Sequence, residues 1–411
     1  MIDLELFRQD FEAVSTKIKK KDPQFDINKL VALDKQVRAL NVEVEELRRQ
    51  KNELSKNKGS DISKETIEQS KKIGQELKDK EENLEALQVE FEQIYLCCPN
   101  IPVDEVPEGN KEANKVVKEF GKKPEFSFEP KNHVQLGKDL DWFDFEIGAK
   151  VAKSRFPFYK KEAVRLMYAL TQLMIKNNIS FGYEPVLPPY LTNEKSLLVS
   201  GNFPKFKDQV FTVTEDNLYL IPTSEVSLAN IYRDEILNVE DLPIRMTSWT
   251  GCFRREAGTY GTTEQGLIRI HQFEKVELVA LCKPEDSEKE LTRMVESAEN
   301  ILQQLGLHYR VSLLAAQDCS FQSAKTYDIE VWMPGQKAYY EVSSCSNCTD
   351  FQARRGKIRY RREIGGKTQL VNTLNGSSLA LPRLVVALME TYQQEDGSIK
   401  LPKILEEFVT W

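Results

Sequence analysis

The chain has 411 residues, 40% of them apolar and 29% charged, with a net charge of −7 from 57 basic and 64 acidic side chains. That length allows two or three domains with a full core; the composition excludes a disordered or fibrous chain, and the charge excludes a globally basic nucleic-acid coat but not a local basic patch. No apolar run of about 18 residues predicts a membrane span, the acidic start predicts no secretory signal, and seven scattered cysteines read as reduced thiols of a cytoplasmic protein.

The first hundred residues carry a 3-4 apolar repeat. Leu30, Leu33, Val37, Leu40, Val44, Leu47 and Leu54 follow it, interrupted at Lys51. Ile73, Leu77, Leu84, Leu87, Phe91 and Ile94 repeat it, with Lys80 in one seam position. This is heptad spacing, and the turn-rich residues 57–63 between the runs predict an antiparallel helical hairpin, a coiled-coil arm. A dimerisation coil is the other reading. From Leu47 to Lys72 there are eight basic and four acidic residues; from Ile73 to Tyr95 there are two and seven. The tip half is therefore basic. It is either a solvated face or a reaching phosphate-binding arm in which Arg48, Arg49, Lys51, Lys56 and Lys58 make the contacts. Pro99, Pro102 and Pro107 stiffen a hinge at 98–109. The expected division is residues 1–110 for the arm domain and 111–411 for a second domain.

The second domain alternates short β-type runs with a few helices. A helix is expected over 159–176, then strands at 209–213, 218–221, 244–257, 266–280, 309–314, 327–332, 338–343 and 369–374. Further helices are expected at 224–234, 285–305 and 378–393. Strands outnumber crossover helices, which predicts an α+β domain with a mostly antiparallel sheet flanked by helices.

The common nucleotide signatures are missing. No Gly-rich dinucleotide fingerprint occurs, and Gly366-Lys367-Thr368 lacks the first glycine of a P-loop, where Arg361 stands, so it reads as a hairpin turn. Three histidines, His133, His271 and His308, leave little material for His-based chemistry, and Cys345-x-x-Cys348 has no second pair at zinc spacing. Three stretches remain. Thr223-Ser224-Glu225 follows an apolar strand and offers a hydroxyl and a carboxylate to an ammonium group, or else caps a helix. In 250–281, Arg254 and Glu256 share one strand face, and Phe273, Lys275 and Glu277 share another, across a loop with Gly258, Gly261 and Gly266. There Arg254 is either a cross-strand salt bridge or a planar fork for phosphate or carboxylate. Asn375-Gly376-Ser377-Ser378-Leu379-Ala380-Leu381-Pro382-Arg383 is expected to open a helix capped by Ser377 or Ser378, with Arg383 set against the dipole and so in want of an anion.

Together these residues resemble the seryl-tRNA synthetase family of class II aminoacyl-tRNA synthetases. FRREAGTYG…GLIRIHQFEKVE resembles motif two, NGSSLALPR motif three, and the helix leading into YEPVLPPYL motif one. TSEV resembles the family's Thr-x-Glu element, YYEVSSCSNCTDFQARR the stretch between motifs two and three, and the hairpin with PNIPVDEVPEG the tRNA-binding arm and hinge. The resemblance implies a serine–tRNA ligase that makes seryl-adenylate from L-serine and ATP and transfers serine to the 3′ end of tRNA(Ser), with tRNA(Sec) as a second candidate. It implies a cytoplasmic homodimer using Mg2+. Thr223, Ser224, Glu225, Arg254, Glu277 and Ser377 would bind serine. Arg254, Arg255, Glu256, Ile270, Phe273, Glu341, Val342, Ser343, Ser344 and Arg383 would bind ATP, with Mg2+ on Glu341 and Ser344. Arg254, Glu277 and Arg383 would carry catalysis. Glu341 and Ser344 are three apart and face opposite ways on a flat strand, so a bend between them is required. Ser378 and Leu381-Pro382 depart from the family's NGSGLAVGR pattern. A stand-alone adenylating enzyme loading a carrier protein would lack the basic arm, and an inactive coiled-coil paralogue would have lost Arg254, Glu277 or Arg383.

Overall fold

The computed structural model describes residues 1–56, 64–257, 266–363 and 365–408. The expected turn at 57–63 with Lys58, and Gly258 and Gly261, lie outside the described residues, as does the side chain of Lys56. The chain divides into two compact units, Asp3–Cys98 and Pro99–Trp411, with Met1 and Ile2 in the second.

In the smaller unit two short helices, Leu4–Gln9 and Phe11–Lys21, precede the expected hairpin. Asp3 and Asp10 cap them by accepting the N–H groups of Glu5 and Ala13. Sequence periodicity missed both, because a helix of one to three turns shows too little repeat. The hairpin itself is α1 (Ile27–Lys56) and α2 (Lys64–Leu96), roughly 45 and 50 Å long at 1.5 Å per residue. Val44, Leu47, Leu77 and Leu84 form its buried seam, with Val37, Leu40 and Ile73 packed against them. Cross-helix pairs Lys29–Glu90 (2.8 Å), Arg48–Glu81 (2.7 Å) and Lys80–Glu43 (2.5 Å) run along it. Lys80 thus leaves the seam by pairing at its rim.

The larger unit is built on an eight-stranded sheet. In chain order its elements are β1 (Lys115–Phe120), α3 (Glu162–Ser180), β2 (Glu184–Pro185), α4 (Glu225–Leu228), β3 (Ile244–Phe253), β4 (Gln272–Cys282), α5 (Ser287–Gln304), β5 (Tyr309–Leu313), β6 (Lys325–Met333), β7 (Ala338–Asn347), β8 (Asn372–Ala380) and α6 (Leu381–Tyr392). The strand order is β1-β5-β6-β7-β8-β4-β3-β2. Every pairing is antiparallel except β2 with β3. This is the expected α+β architecture. The core forms where the apolar faces of α3 (Leu166, Leu170, Leu173, Met174), α5 (Ala298, Ile301, Leu302) and α6 (Leu384, Val385, Leu388) cover the sheet. Small sheets at the rim include the hairpin Arg359–Arg361 with Thr368–Leu370, the turn expected around Gly366.

Several expectations change. The strand expected over 209–213 covers only Thr212–Val213; that over 266–280 begins at Gln272, after a 3-10 turn at Gly266–Ile268; and that over 244–257 ends at Phe253, so Arg254 and Glu256 lie past it and share no strand face. The helix expected over 224–234 is one turn, Glu225–Leu228. The helix expected from 378 begins at Leu381, because 372–380 pairs with β4 and β7 as a strand. Residues 99–109, within the stiff hinge expected at 98–109, pack on the larger unit. Asn100 N–H donates to Phe321 O (3.0 Å) and Val103 N–H to Ala324 O (3.1 Å), and Val106 is buried against Leu313 and Leu314. The division accordingly falls after Cys98, not after 110.

Candidate active site

Adjacency of β3, β4 and β8 builds the site. Glu277 on β4 lies opposite Ser377 on β8, and Lys275 opposite Ala380. Two β4 residues thus span three on β8, a bulge that sets the C-terminal end of β8 at an angle. Ser377 and Ser378 are strand residues and not the caps expected of them: Ser378 Oγ donates to Asn178 Oδ1 (2.8 Å), and α6 has no side-chain cap. Gly376 is required by space. A Cβ there would stand 2.6 Å from Met294 Sδ and 2.9 Å from Cys345 Sγ.

Thr223 and Glu225 sit at the turn from strand to helix, not on one extended strand face, yet both converge on Glu277. Thr223 Oγ1 donates to Glu277 Oε2 (2.5 Å) and accepts the Glu225 N–H (3.2 Å). Glu277 is 1% exposed and forms an ion pair with Lys275. The buried carboxylate therefore has the partners its apolar strand demands. Glu225 is also buried. Its Oε1 accepts from Gln352 Nε2 (2.7 Å), Asn375 Nδ2 (3.0 Å) and Gln322 Nε2 (3.4 Å). Burial, and then the Glu277 charge, push its carboxyl up to about 7, against the pull of Lys275. Ser224 is fully buried, and its Oγ has no hydrogen-bond partner among the described residues.

Arg254 follows β3 at the mouth of the same cleft. Its guanidinium lies over the Phe273 ring, 5.1 Å from the centroid, and its Nε donates to Pro222 O (3.2 Å). Among the described residues its fork pairs with no carboxylate. Glu256 pairs instead with Arg269 (2.9 Å). Ile270 is buried beside Leu267 and Ile268, and Arg255 is exposed. The cleft has a cavity volume of about 270 Å³, and Arg254, Glu256, Ile270, Phe273, Lys275, Ser377, Glu341 and Arg383 all line it.

On β7 the required bend exists. Ile329 pairs with Ser343 and Glu330 with Glu341, so Val342 is an extra residue opposite β6. Asp328 pairs with Ser344; the partners of Asp328 and Glu330, two apart on β6, must share a face, and the bulge turns Glu341 and Ser344 to the same side. Val342 and Ser343 are committed inward. Val342 joins the core, and Ser343 Oγ donates to Ser377 O (2.5 Å). Arg383, in the first turn of α6, donates through Nη1 to Glu341 O (2.7 Å) and lies 3.4 Å from Glu341 Oε2. Glu341 supplies the anion that its place against the dipole called for. Asp328 Oδ1 is buried with no hydrogen-bond partner among the described residues, and burial with the Glu341 charge raises its carboxyl well above the usual value. An orphaned carboxylate oxygen beside a glutamate and a hydroxyl is a hard-oxygen donor set, which fits Mg2+. Among the described residues no cluster of three or more His, Cys, Asp or Glu could hold a metal, so an ion here would complete its shell from phosphate and water. All seven cysteines are free thiols.

Sequence reasoning missed Lys275, Asp328, Gln352 and Asn375 as parts of the site. Lys275 was legible by period-two spacing from Glu277, and Asp328 as a charge inside an apolar strand. Gln352 and Asn375 meet Glu225 only through the fold.

On the hairpin, Arg48 pairs with Glu45 and Glu81, and Arg49 with Glu46 and Glu53; all are exposed. Lys51 is exposed. Among the described residues no helix is long and apolar enough to cross a membrane.

Residues 1–102 match the family model for the seryl-tRNA synthetase N-terminal domain. Residues 208–392 match the tRNA synthetase class II core domain (G, H, P, S and T). The serine–tRNA ligase of Desulfotalea psychrophila is 44% identical over 420 residues, 99% of each chain. The crystal structure of seryl-tRNA synthetase from Pyrococcus horikoshii complexed with ATP matches with a TM-score of 0.93 at 33% identity, over 100% of this chain and 98% of that one. The cytoplasmic serine–tRNA ligase of Naegleria fowleri in complex with AMP matches with a TM-score of 0.86 at 26% identity, over 100% and 97%.

Proposed function

The chain belongs to the seryl-tRNA synthetase family and acts as a serine–tRNA ligase, and we propose that the cleft between β3, β4, β7 and β8 carries out both steps of that reaction. The observation that carries this assignment is the convergence of Thr223, Glu225, Glu277 and Ser377 beside a guanidinium whose fork is open.

In this reading Glu225 and Thr223 take the substrate ammonium, and Glu277 and Ser377 read its hydroxyl. Arg254 spans the serine carboxylate and the ATP α-phosphate, which a planar two-pronged donor suits. Phe273, Ile270 and Glu256 bound the adenine, with Arg255 at the rim. Arg383 meets the outer phosphates. The serine carboxylate attacks the α-phosphorus, and the bond to pyrophosphate breaks. The attacking group is already ionised, so positioning and charge neutralisation suffice and no general base is needed. Next the terminal ribose hydroxyl of the tRNA attacks the acyl carbon, its proton passes to the departing phosphate, and AMP leaves. Glu341 and Ser344, with Asp328 beside them, would hold Mg2+, which would supply charge neutralisation on the phosphates; Val342 and Ser343 contribute backbone placement.

The hairpin is read as the tRNA arm. Its basic tip residues suit backbone and shape recognition of RNA, whose base edges lie in a deep groove. The same chemistry extends to tRNA(Sec) where the cell makes one. Tyr168, Ile175 and Ile179 on α3, with Trp249, line an open apolar groove, and we assign this face to a homodimer; sedimentation at the mass of one chain would remove that assignment. A cytoplasmic location is part of the same proposal. Serine-dependent pyrophosphate exchange without tRNA, followed by aminoacylation with it, tests the function. Exchange driven by another amino acid and not by serine would overturn it.

A further inference from the structure

The amine pocket holds two carboxylates and one cation. Glu277 and Glu225 are both buried, and so is Lys275. Thr223 Oγ1 and Lys275 Nζ both reach Glu277, the hydroxyl at 2.5 Å. Glu225 receives only neutral amides, from Gln352, Asn375 and Gln322, and all three donate to Oε1. Its Oε2 takes no hydrogen bond among the described residues. With both carboxylates ionised, an empty pocket would bury one uncompensated negative charge, a costly state. With one proton added, Lys275 and Glu277 balance. The proton belongs on Glu225, because the lysine and the hydroxyl are both spent on Glu277.

We propose that the empty site holds Glu225 as the carboxylic acid, that Lys275 sets this charge count, and that binding of the substrate ammonium releases the Glu225 proton to solvent. The proposal rests on the amine-site reading above. The balance is simple: the O–H bond of Glu225 breaks, the proton leaves to buffer, and the carboxylate pairs with the incoming ammonium. The groups facing Glu225 are Lys275 and Glu277 from β4 and the neutral Gln322, Gln352 and Asn375. The rise of the Glu225 carboxyl to about 7 agrees with this arrangement.

Lys275 is therefore a positioning residue for recognition of the amine, and amine recognition is linked to pH. Affinity for the seryl ligand should improve by about sixfold from pH 6 to pH 7.5 and fall again above about pH 8, where the ligand's own α-amine loses its charge. The test is calorimetric titration of the full chain with seryl-sulfamoyl adenosine, in two buffers of different ionisation enthalpy, beside the analogue lacking the α-amine. The expected result is release of roughly three-quarters of a proton at pH 6.5 and net proton uptake at pH 8.5, where the ligand's own amine is mostly neutral and binds as the ammonium, with neither for the desamino analogue. Binding of the seryl analogue at pH 6.5 without proton release would overturn the inference but leave the serine-site reading standing. Failure of that analogue to bind at either pH would overturn the serine-site reading, and the inference with it. Infrared spectra of the free protein locate the proton independently of binding: one carboxylic-acid band that titrates near pH 7 should be lost in Glu225→Gln, while any band of the raised Asp328 carboxyl stays in both proteins. Identical acid bands in the native protein and the variant would place the proton elsewhere and overturn the assignment.

Discussion

Replacing Arg254 with alanine should separate chemistry from folding. The side chain is exposed. Its contacts are one hydrogen bond from Nε to Pro222 O at 3.2 Å and the stacking on Phe273 at 5.1 Å. Loss of these should cost less than about 1 kcal/mol of stability, as at other exposed positions. In the transition state the proposed fork makes two charge-assisted hydrogen bonds, each worth ~1.5–3 kcal/mol. Losing both removes ~3–6 kcal/mol, a fall of roughly 10² to 10⁴ in kcat/KM for serine-dependent pyrophosphate exchange. Lysine should recover little of it, since a single ammonium cannot span carboxylate and phosphate together. The assay pairs pyrophosphate exchange with a thermal melt. A folded Arg254→Ala protein with near-native exchange would refute the reasoning.

Other consequences follow from burial, space and charge. Gly376→Ala should destabilise by ~1–3 kcal/mol through overpacking against Met294 and Cys345, read as a lowered unfolding midpoint. Because the Glu225 carboxyl is raised to about 7, its folded form holds a proton that the unfolded chain gives up near pH 4.5. The stability of the free protein should therefore fall between about pH 4.5 and 7, by ~3 kcal/mol from this group. In Glu225→Gln that slope should flatten, as followed by urea midpoints across the range. Jointly neutralising Arg48, Arg49, Lys51, Lys56 and Lys58 should leave pyrophosphate exchange intact. It should weaken tRNA binding and flatten its salt dependence by up to about 0.9 per lost phosphate contact. The exposed glutamate pairs of Arg48 and Arg49 are worth only ~0–1 kcal/mol each, so phosphate can replace them. An unchanged salt slope would return the hairpin to a packing element.

Local signals in the sequence carried far, and they stopped where pairing is non-local. The heptads announced the hairpin, since every seam contact repeats along one helix face. The β-type runs announced strands, and their crowding announced an antiparallel sheet. The two bulges were only half visible. The mismatch of Glu341 with Ser344 demanded a bend, but its place at Val342 depends on the register with β6. The start of α6 was misplaced by three residues, because Ser377 and Ser378 look like caps until β4 pairs with them. The same non-locality hid the amide cradle of Glu225, which unites Gln322, Gln352 and Asn375 across 150 residues of chain.

The central claim is that Glu277 and Ser377, opposite one another across β4 and β8, read a hydroxyl beside an amine held by Glu225. Its most direct test is pyrophosphate exchange by the native protein with serine and with alanine, compared as kcat/KM. A site built to bond a hydroxyl leaves buried polar groups unpaired when that hydroxyl is missing, and the account predicts discrimination against alanine of ~10⁴-fold. Comparable activation of alanine and serine would contradict it.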